Sequence, residues 1–485
     1  MSALARRFRF AEHGTTLARD SMAGVTTFIV MSYIIFVNPA ILGFAGIEGL
    51  QDRGLEFDAV LTATCLVAGV MTIVMGLYTN RAFAIAPGLG LNAVVAFSLV
   101  AGEGLGFPEA MGIIVCEGAL VTALVLTGLR EKIMDAIPLD LKKAIAIGIG
   151  LFIAFIGLFQ SGLVVRGPEG VPVDLARFTT WPVLITVFGL VVTIALRAAR
   201  FRGDLLAGIV LTTAFATILE YTTDVYETPA TARYARWPGD VVQSPDFSII
   251  GDVSFDFFSA AKLGVIGALA WIFSLFLADF FDTMGTLVGV GKQAGYLDAE
   301  GRLPGIRKPL LVDSVAAMAG GGASASSATT YIESAAGVGV GGRTGWVSVV
   351  TGSLFFPFLF LAPLIGMVPP QATAPALILI GWLMISVLTE AEGEAEGEAP
   401  GAQRRKLAGI DFHDVAIGLS AAIVIMFMPF TFSITDGIAA GFIVYVLVRL
   451  AERRAREVHP LMYAAAAAFV LYFLIPLLQD TFDWI

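Results

Sequence analysis

Residues 81–93 read RAFAIAPGLGLNA and residues 323–335 read ASASSATTYIESA. Each opens as an extended-looking run of small and apolar residues. Each then breaks into a stretch that can be helical, and each carries a polar side chain near the break, Asn92 and Glu333. A helix facing lipid has no use for such a break, because hydrocarbon cannot solvate the freed N–H and C=O groups. Irregular backbone at membrane depth is tolerated where it lines a cavity. A pair of interrupted segments at matching places in two halves of a chain points to a transporter's binding site.

The rest of the chain fits that reading. Of its 485 residues, 57% are hydrophobic and only 14% charged, against about 25% charged in soluble domains. Mean hydropathy is +0.83. Cys65 and Cys116 sit in apolar runs without disulfide or metal spacing. No cleavable signal is read at Met1–Thr16, which is polar and basic and suits an amphipathic surface helix. The net charge of −10 argues against nucleic acid as a partner.

Apolar runs long enough to span fall near 19–42, 59–78, 82–101, 108–130, 141–163, 182–198 and 204–222. A polar stretch holding Pro229, Pro238 and Pro245 follows, with a strand-like piece at Val241–Val253. A second series lies near 262–291, 307–322, 324–342, 344–367, 370–388, 412–430 and 434–450. The run 460–478 either spans or lies at the interface. On this count the basic clusters share one side, from Arg6, Arg7 and Arg9 through Lys142/Lys143, Arg197/Arg200/Arg202 and Arg343 to Arg449/Arg453/Arg454. That side is expected to be cytoplasmic. Seven spans per half make the halves inverted repeats. The segment AEGEAEGEAPGA (391–402) reads as a flexible cytoplasmic linker.

The second half opens on Asp279 and Asp282, which share one helix face. A carboxylate at bilayer depth usually faces a cavity or a partner, although either acid would also serve as a helix-end charge or a tie between helices. Glu333 reads as a ligand group or as a first-turn charge on a helix N-terminus, and the two are compatible. Thr329 and Thr330 read as helix caps. Asn92 offers both donor and acceptor. Glu117 lies inside a span, and Asn38-Pro39 reads as a helix end. His13, His413 and His459 fall at membrane borders and make weak proton relays. Phe276, Phe280, Phe83 and Tyr331 could stack on a flat ligand. Carboxylates that accept N–H groups, a carboxamide and aromatic faces suit a small planar heterocycle better than an inorganic anion. A carboxyl group in a low-dielectric cavity can also exchange a proton with its ligand, which couples the two. No metal cluster, Ser/His/Asp set or phosphate loop is read, so an enzyme is disfavoured, as are a metal and any cofactor; a channel is disfavoured by the paired breaks.

The segments GVTTFIVMSYIIFVNPAIL (24–42), TNRAFAIAPGLGLNAVVAF (79–97), FLADFFDTMGTLVGV (276–290), KPLLVDSVAAMAGG (308–321), SSATTYIESAAGVGVGGRTG (326–345) and APALILIGWLM (374–384) resemble the AzgA-type purine permeases of the nucleobase–ascorbate transporter superfamily. The resemblance runs through most of the chain. It implies an all-α polytopic fold of seven plus seven inverted spans, with short extended segments in spans three and ten. It implies a core (transport) domain of 19–130 and 262–367 and a gate domain of 131–222 and 368–450. Residues 1–18 would be a cytoplasmic segment, 223–261 an extracellular loop, 389–411 a cytoplasmic linker and 451–485 a C-terminal segment. The implied activity is proton-coupled import of adenine, guanine or hypoxanthine across the plasma membrane. Binding maps onto Asn92 and Gly90, Asp279 and Glu333, with Thr330, Phe276 and Tyr331 beside them, and coupling maps onto Asp279, Glu333 and Asp282. The expected partners are a purine base, a proton and lipid, with a homodimer left open. Uracil, xanthine or an anion on the same fold is the nearest alternative.

Overall fold

The computed structural model describes residues 3–47, 49–128, 137–168, 171–226, 234–259, 261–298, 303–390 and 410–482. The linker expected at 391–402 lies outside the described residues. Among the described residues eight helices are long and apolar enough to cross a membrane, and shorter helices, most of them apolar, lie between and after them in the series. We number the spans in chain order. The first is Leu17–Leu42, interrupted at Ser32 and Tyr33, and the second is Phe57–Thr79. The third joins strand β1, Ile85–Pro87, to Leu89–Gly102, and the fourth is Phe107–Thr127. Leu139–Gln160, Trp181–Ala198 and Asp204–Thr223 are the fifth to seventh. A small hairpin of β2 (Val164–Arg166) and β3 (Val173–Leu175) follows the fifth. The eighth is Gly264–Gln293 and the ninth Arg307–Gly322. The tenth joins β4, Ala328–Thr330, to the short helix Ser334–Gly339. Trp346–Phe360, Pro370–Glu390, Val415–Thr431 and Ile434–Ala451 complete the second half, and a further helix, Pro460–Phe482, packs on spans eight and fourteen.

The packing repeats between halves with spans one to seven exchanged for eight to fourteen. Span two packs on eleven, and its counterpart nine packs on four. Spans one and eleven pair as eight and four do, and six with twelve as thirteen with five. Spans three and ten meet each other, as do five and twelve, so these two pairs straddle the pseudo-two-fold axis. The last pair needs glycine. A Cβ on Gly150 would lie 2.7 Å from the Gly381 carbonyl, and one on Gly381 would lie 2.4 Å from that of Gly150. Small residues that let backbones touch drive helix association where no hydrophobic force acts between helices.

Three local expectations need correction. Residues Val241–Val253 hold turns and coil, not a strand. Their backbone is instead tied to helix ends, with Gln243 N–H donating to Phe360 O and Gly251 N–H to Gly322 O. Asn38 and Pro39 sit within the helix Ile34–Leu42, not at its end. Thr329 and Thr330 lie in β4 and cap nothing; pairing with a distant strand overrides their local capping preference. The short helix of the tenth span begins at Ser334, with Glu333 just before it.

Candidate functional site

The site is built on the two strands. β1 and β4 pair antiparallel, with Ile85 opposite Thr330, Ala86 opposite Thr329 and Pro87 opposite Ala328. Pro87 brings no N–H and disfavours helix at Ala86, and with Gly88 extended the third span turns helical at Leu89. Gly88 N–H donates to Ser327 O at 2.8 Å, and a Cβ there would come within 2.9 Å of Thr329 Cγ2. Side chains satisfy the backbone groups that a two-stranded ribbon leaves over. The Thr72 hydroxyl donates to Ile85 O at 2.8 Å while accepting from Ile85 N–H at 2.9 Å. Asp313, fully buried in the ninth span, accepts from Thr330 N–H (2.8 Å) and the Thr330 hydroxyl (2.7 Å) through Oδ1, and from the Thr283 hydroxyl (2.6 Å) through Oδ2. Tyr331 closes the ribbon, its N–H on Ala84 O at 2.9 Å and its hydroxyl on Pro87 O.

The expected ligand groups gather around this crossing. Glu333 is half-buried at the start of the short helix and accepts the Tyr33 hydroxyl at 2.5 Å on Oε1. Asp279 is completely buried in the eighth span. Asp282, one turn on, is exposed next to the buried Thr283 and lies within Coulombic reach of Asp313 and Glu333. Tyr331 lies within reach of the charges of Glu333 and Asp282. Asn92 is completely buried and its Nδ2 donates to Asn38 Oδ1 at 2.5 Å. Gly90 faces the fifth span, where a Cβ would come within 2.8 Å of Ile149 Cγ2. Phe276 packs fully buried in an aromatic row, 6.0 Å from Phe273 and 5.6 Å from Phe280 between ring centres. Chemically the crossing offers acceptors on Asp282 and Glu333 and, through Asn92, a carboxamide from the third span; Asp279 lies one turn before Asp282 on the eighth.

Three side chains that brace the crossing or its neighbours carry no role in the sequence reading. Asp313 carried much the same signal as Asp279, an acid in an apolar run. Tyr33 and Asn38, both on the first span, had none, since an aromatic and an amide are ordinary in such a run. Asp20 is a further buried acid, away from the crossing. Its carboxylate accepts from the Thr15 hydroxyl (2.6 Å), the Arg343 and Thr344 N–H groups (3.1 Å each) and the Thr344 hydroxyl (2.5 Å), tying the start of span one to the turn before span eleven.

Residues 19–394 match the model of the Permease family (Xan_ur_permease). The adenine permease AdeP of Escherichia coli strain K12 is 37% identical over 96% of this chain and 95% of its own length. The guanine/hypoxanthine permease PbuG of Bacillus subtilis strain 168 is also 37% identical, over 96% of this chain and 98% of its own. The nucleobase transporter PlAzg2 of Paenibacillus larvae is 32% identical over 88% of this chain and 77% of its own. Among solved structures, the transmembrane domain of the cyanobacterial bicarbonate transporter BicA superposes with a TM-score of 0.56 at 14% identity, covering 87% of this chain and 96% of that one. Murine Slc26a9, an anion transporter, gives 0.56 at 11% identity over 90% of this chain and 68% of its own. These two show the seven-plus-seven inverted-repeat fold. With the family model over most of its length and relatives of this closeness along nearly all of it, the chain belongs to the Permease family, among the AzgA-like purine permeases.

Proposed function

We propose that this chain imports purine bases (adenine, guanine or hypoxanthine) together with protons across the plasma membrane, with its N-terminus in the cytoplasm. The observation that carries the reading is Glu333. It stands directly after strand β4 at the head of a half-helix, held by Tyr33, with Asp282 in its field. Acceptor groups so placed suit the N–H edges of a purine. Asp279 and Glu333 accept purine N–H groups, Asn92 meets the base from the third span, and Gly90, Thr330, Phe276 and Tyr331 shape the cavity. Asp279, Glu333 and Asp282 are the groups among which the coupling proton is held. The relatives named for adenine and for guanine/hypoxanthine support the substrate class. Anions are carried on the same scaffold elsewhere, but three acids oppose an anion here.

Spans one to four and eight to eleven pack with one another, as do five to seven and twelve to fourteen. That division supports a core that carries the base past a gate in an elevator-like movement. Between the groups the contacts are fewer: Ser98 Oγ donates to Phe432 O at 2.9 Å and Gln160 Nε2 to Ala40 O at 3.2 Å. The test is uptake of radiolabelled adenine, guanine, hypoxanthine, xanthine and uracil in a host lacking its own permeases. Saturable purine uptake supports the reading; uptake of uracil or xanthine alone overturns the substrate class.

A further inference from the structure

The buried amide of Asn92 can be oriented from the backbone outward. Thr64, fully buried in the second span, donates its hydroxyl proton to Val60 O at 2.6 Å, so its oxygen is left to accept. It accepts from Asn38 Nδ2 at 2.8 Å. The same Nδ2 also donates to Ala325 O at 3.2 Å, and a backbone carbonyl can only accept. Both N–H groups of the Asn38 amide are thereby committed, and its oxygen must face the remaining neighbour. That neighbour is Asn92, 2.5 Å away. Two amide oxygens cannot pair, so Asn92 turns its nitrogen to Asn38. The order of donors and acceptors is set at one end by two main-chain carbonyls, and Asn92 cannot turn over without losing its bond to Asn38 and setting two amide oxygens against each other. Its Oδ1 is buried and meets no hydrogen-bond partner among the described residues.

We infer that Asn38 is a positioning residue that fixes Asn92 as an acceptor, so that the part of the ligand facing Asn92 Oδ1 carries a hydrogen-bond donor: a ring N–H or an exocyclic amine. This inference rests on the purine reading above and sharpens it. A buried acceptor left unmatched is costly, and discrimination against a ligand lacking the matching donor follows from that cost. Asn38 itself touches no ligand; it acts through Asn92. The Asn-Pro pair in the first span thus sets ligand polarity from a helix that carries none of the expected ligand groups.

The experiment is inhibition of radiolabelled purine uptake by two competitor sets. In one, donors are removed: the exocyclic amine is deleted, or each ring N–H is methylated in turn. In the other, acceptors are removed by replacing ring nitrogens with carbon. In the wild type, losing one particular donor should weaken inhibition about tenfold, the scale of one buried hydrogen bond. In Asn92→Ala that penalty should vanish while the other penalties remain. In Asn38→Ala the Asn92 amide is free to turn, so the donor penalty should shrink towards unity and a new tolerance for an acceptor at that position should appear. Thr64→Val, which removes one of the two groups that orient Asn38 and leaves Ala325 O in place, should reduce the penalty part of the way. A merely structural Asn38 would lower transport rate or amount without changing the donor-to-acceptor ratio, and that result overturns the inference. So does coupling of Asn92 to an acceptor on the ligand. Absence of any purine uptake by the wild type instead overturns the reading on which the inference stands, so the two failures are distinguishable.

Discussion

Asp313→Ala should destabilise the protein far more than Asp313→Asn. The buried carboxylate takes three hydrogen bonds at 2.6–2.8 Å, two from Thr330 and one from Thr283. With alanine, the hydroxyls can find other arrangements, since Thr283 Oγ1 already lies 2.7 Å from Thr329 Oγ1. The Thr330 N–H cannot turn away, because β4 pairing fixes its direction. An orphaned buried donor costs about 1–3 kcal/mol, and a hydrogen bond to a charged acceptor is worth about 1.5–3 kcal/mol. Removing the acid also relieves the cost of burying its charge, which works the other way. The balance for alanine is a loss of about 3 kcal/mol, dominated by the amide that nothing can satisfy. Asparagine keeps an oxygen for Thr330 N–H and offers an N–H₂ that the Thr283 oxygen can accept, so its loss should stay near about 1 kcal/mol. Thermal melts of the purified transporter in detergent, followed by the surviving monodisperse fraction on size exclusion, would rank the variants. Equal midpoints for wild type and Asp313→Ala would refute the claim that this carboxylate holds the crossing strands.

Asp279→Asn and Glu333→Gln should each abolish or severely reduce purine uptake while the protein still reaches the membrane, because the amides keep shape and lose charge; near-normal uptake in both would sink the site assignment. Uptake into vesicles with an imposed pH gradient and no sodium should proceed and collapse with a protonophore; a requirement for sodium would end the proton reading. Asp414→Ala should cost about 1–3 kcal/mol in the same melts, since Asp414 caps the thirteenth span through Ile417 N–H at 3.1 Å and pairs at 2.8 Å with the nearly buried Arg449. Gly381→Ala should cost about 1–3 kcal/mol through overpacking against the Gly150 carbonyl, and a variant as stable as wild type would show that the fifth and twelfth spans separate freely.

Much of the fold was legible because two signals act over long windows. Hydropathy marks the spans, and proline, glycine and serine mark where a span cannot stay helical. Together they placed the breaks in 81–93 and 323–335, and the paired strands, Ile85–Pro87 and Ala328–Thr330, lie inside those two stretches. What was misread turned on tertiary partners. Thr329 and Thr330 have good capping side chains, but strand pairing and Asp313 claim them. Asp313 was legible by the argument that selected Asp279 and was passed over. Tyr33 and Asn38 were not, since nothing local distinguishes a tyrosine or an amide that reaches another span. The π-helical turns of Val94–Gly102 had no sequence signal either.

The location of the proposed ligand groups follows from the backbone arithmetic of the break. A span that stops being helical at mid-depth leaves N–H and C=O groups that lipid cannot satisfy. One broken span cannot meet that need alone, since a lone strand has an unpaired edge on both sides. Two broken spans related by a pseudo-two-fold axis can pair with each other, and the remaining edges are met by Thr72 on one side and Asp313 on the other. Each acceptor must then be held by a helix of the same packed group, which is why spans two and nine, the counterparts of each other, supply them. Rigid strands fixed in this way deliver the next residues along, Asn92 after one break and Glu333 after the other, at defined positions. Those residues are then braced from the first span by Asn38 and Tyr33. The side chains proposed to meet the ligand are thus set by the same hydrogen bonds that make the interrupted spans tolerable, and weakening the strand pair should disorder both at once.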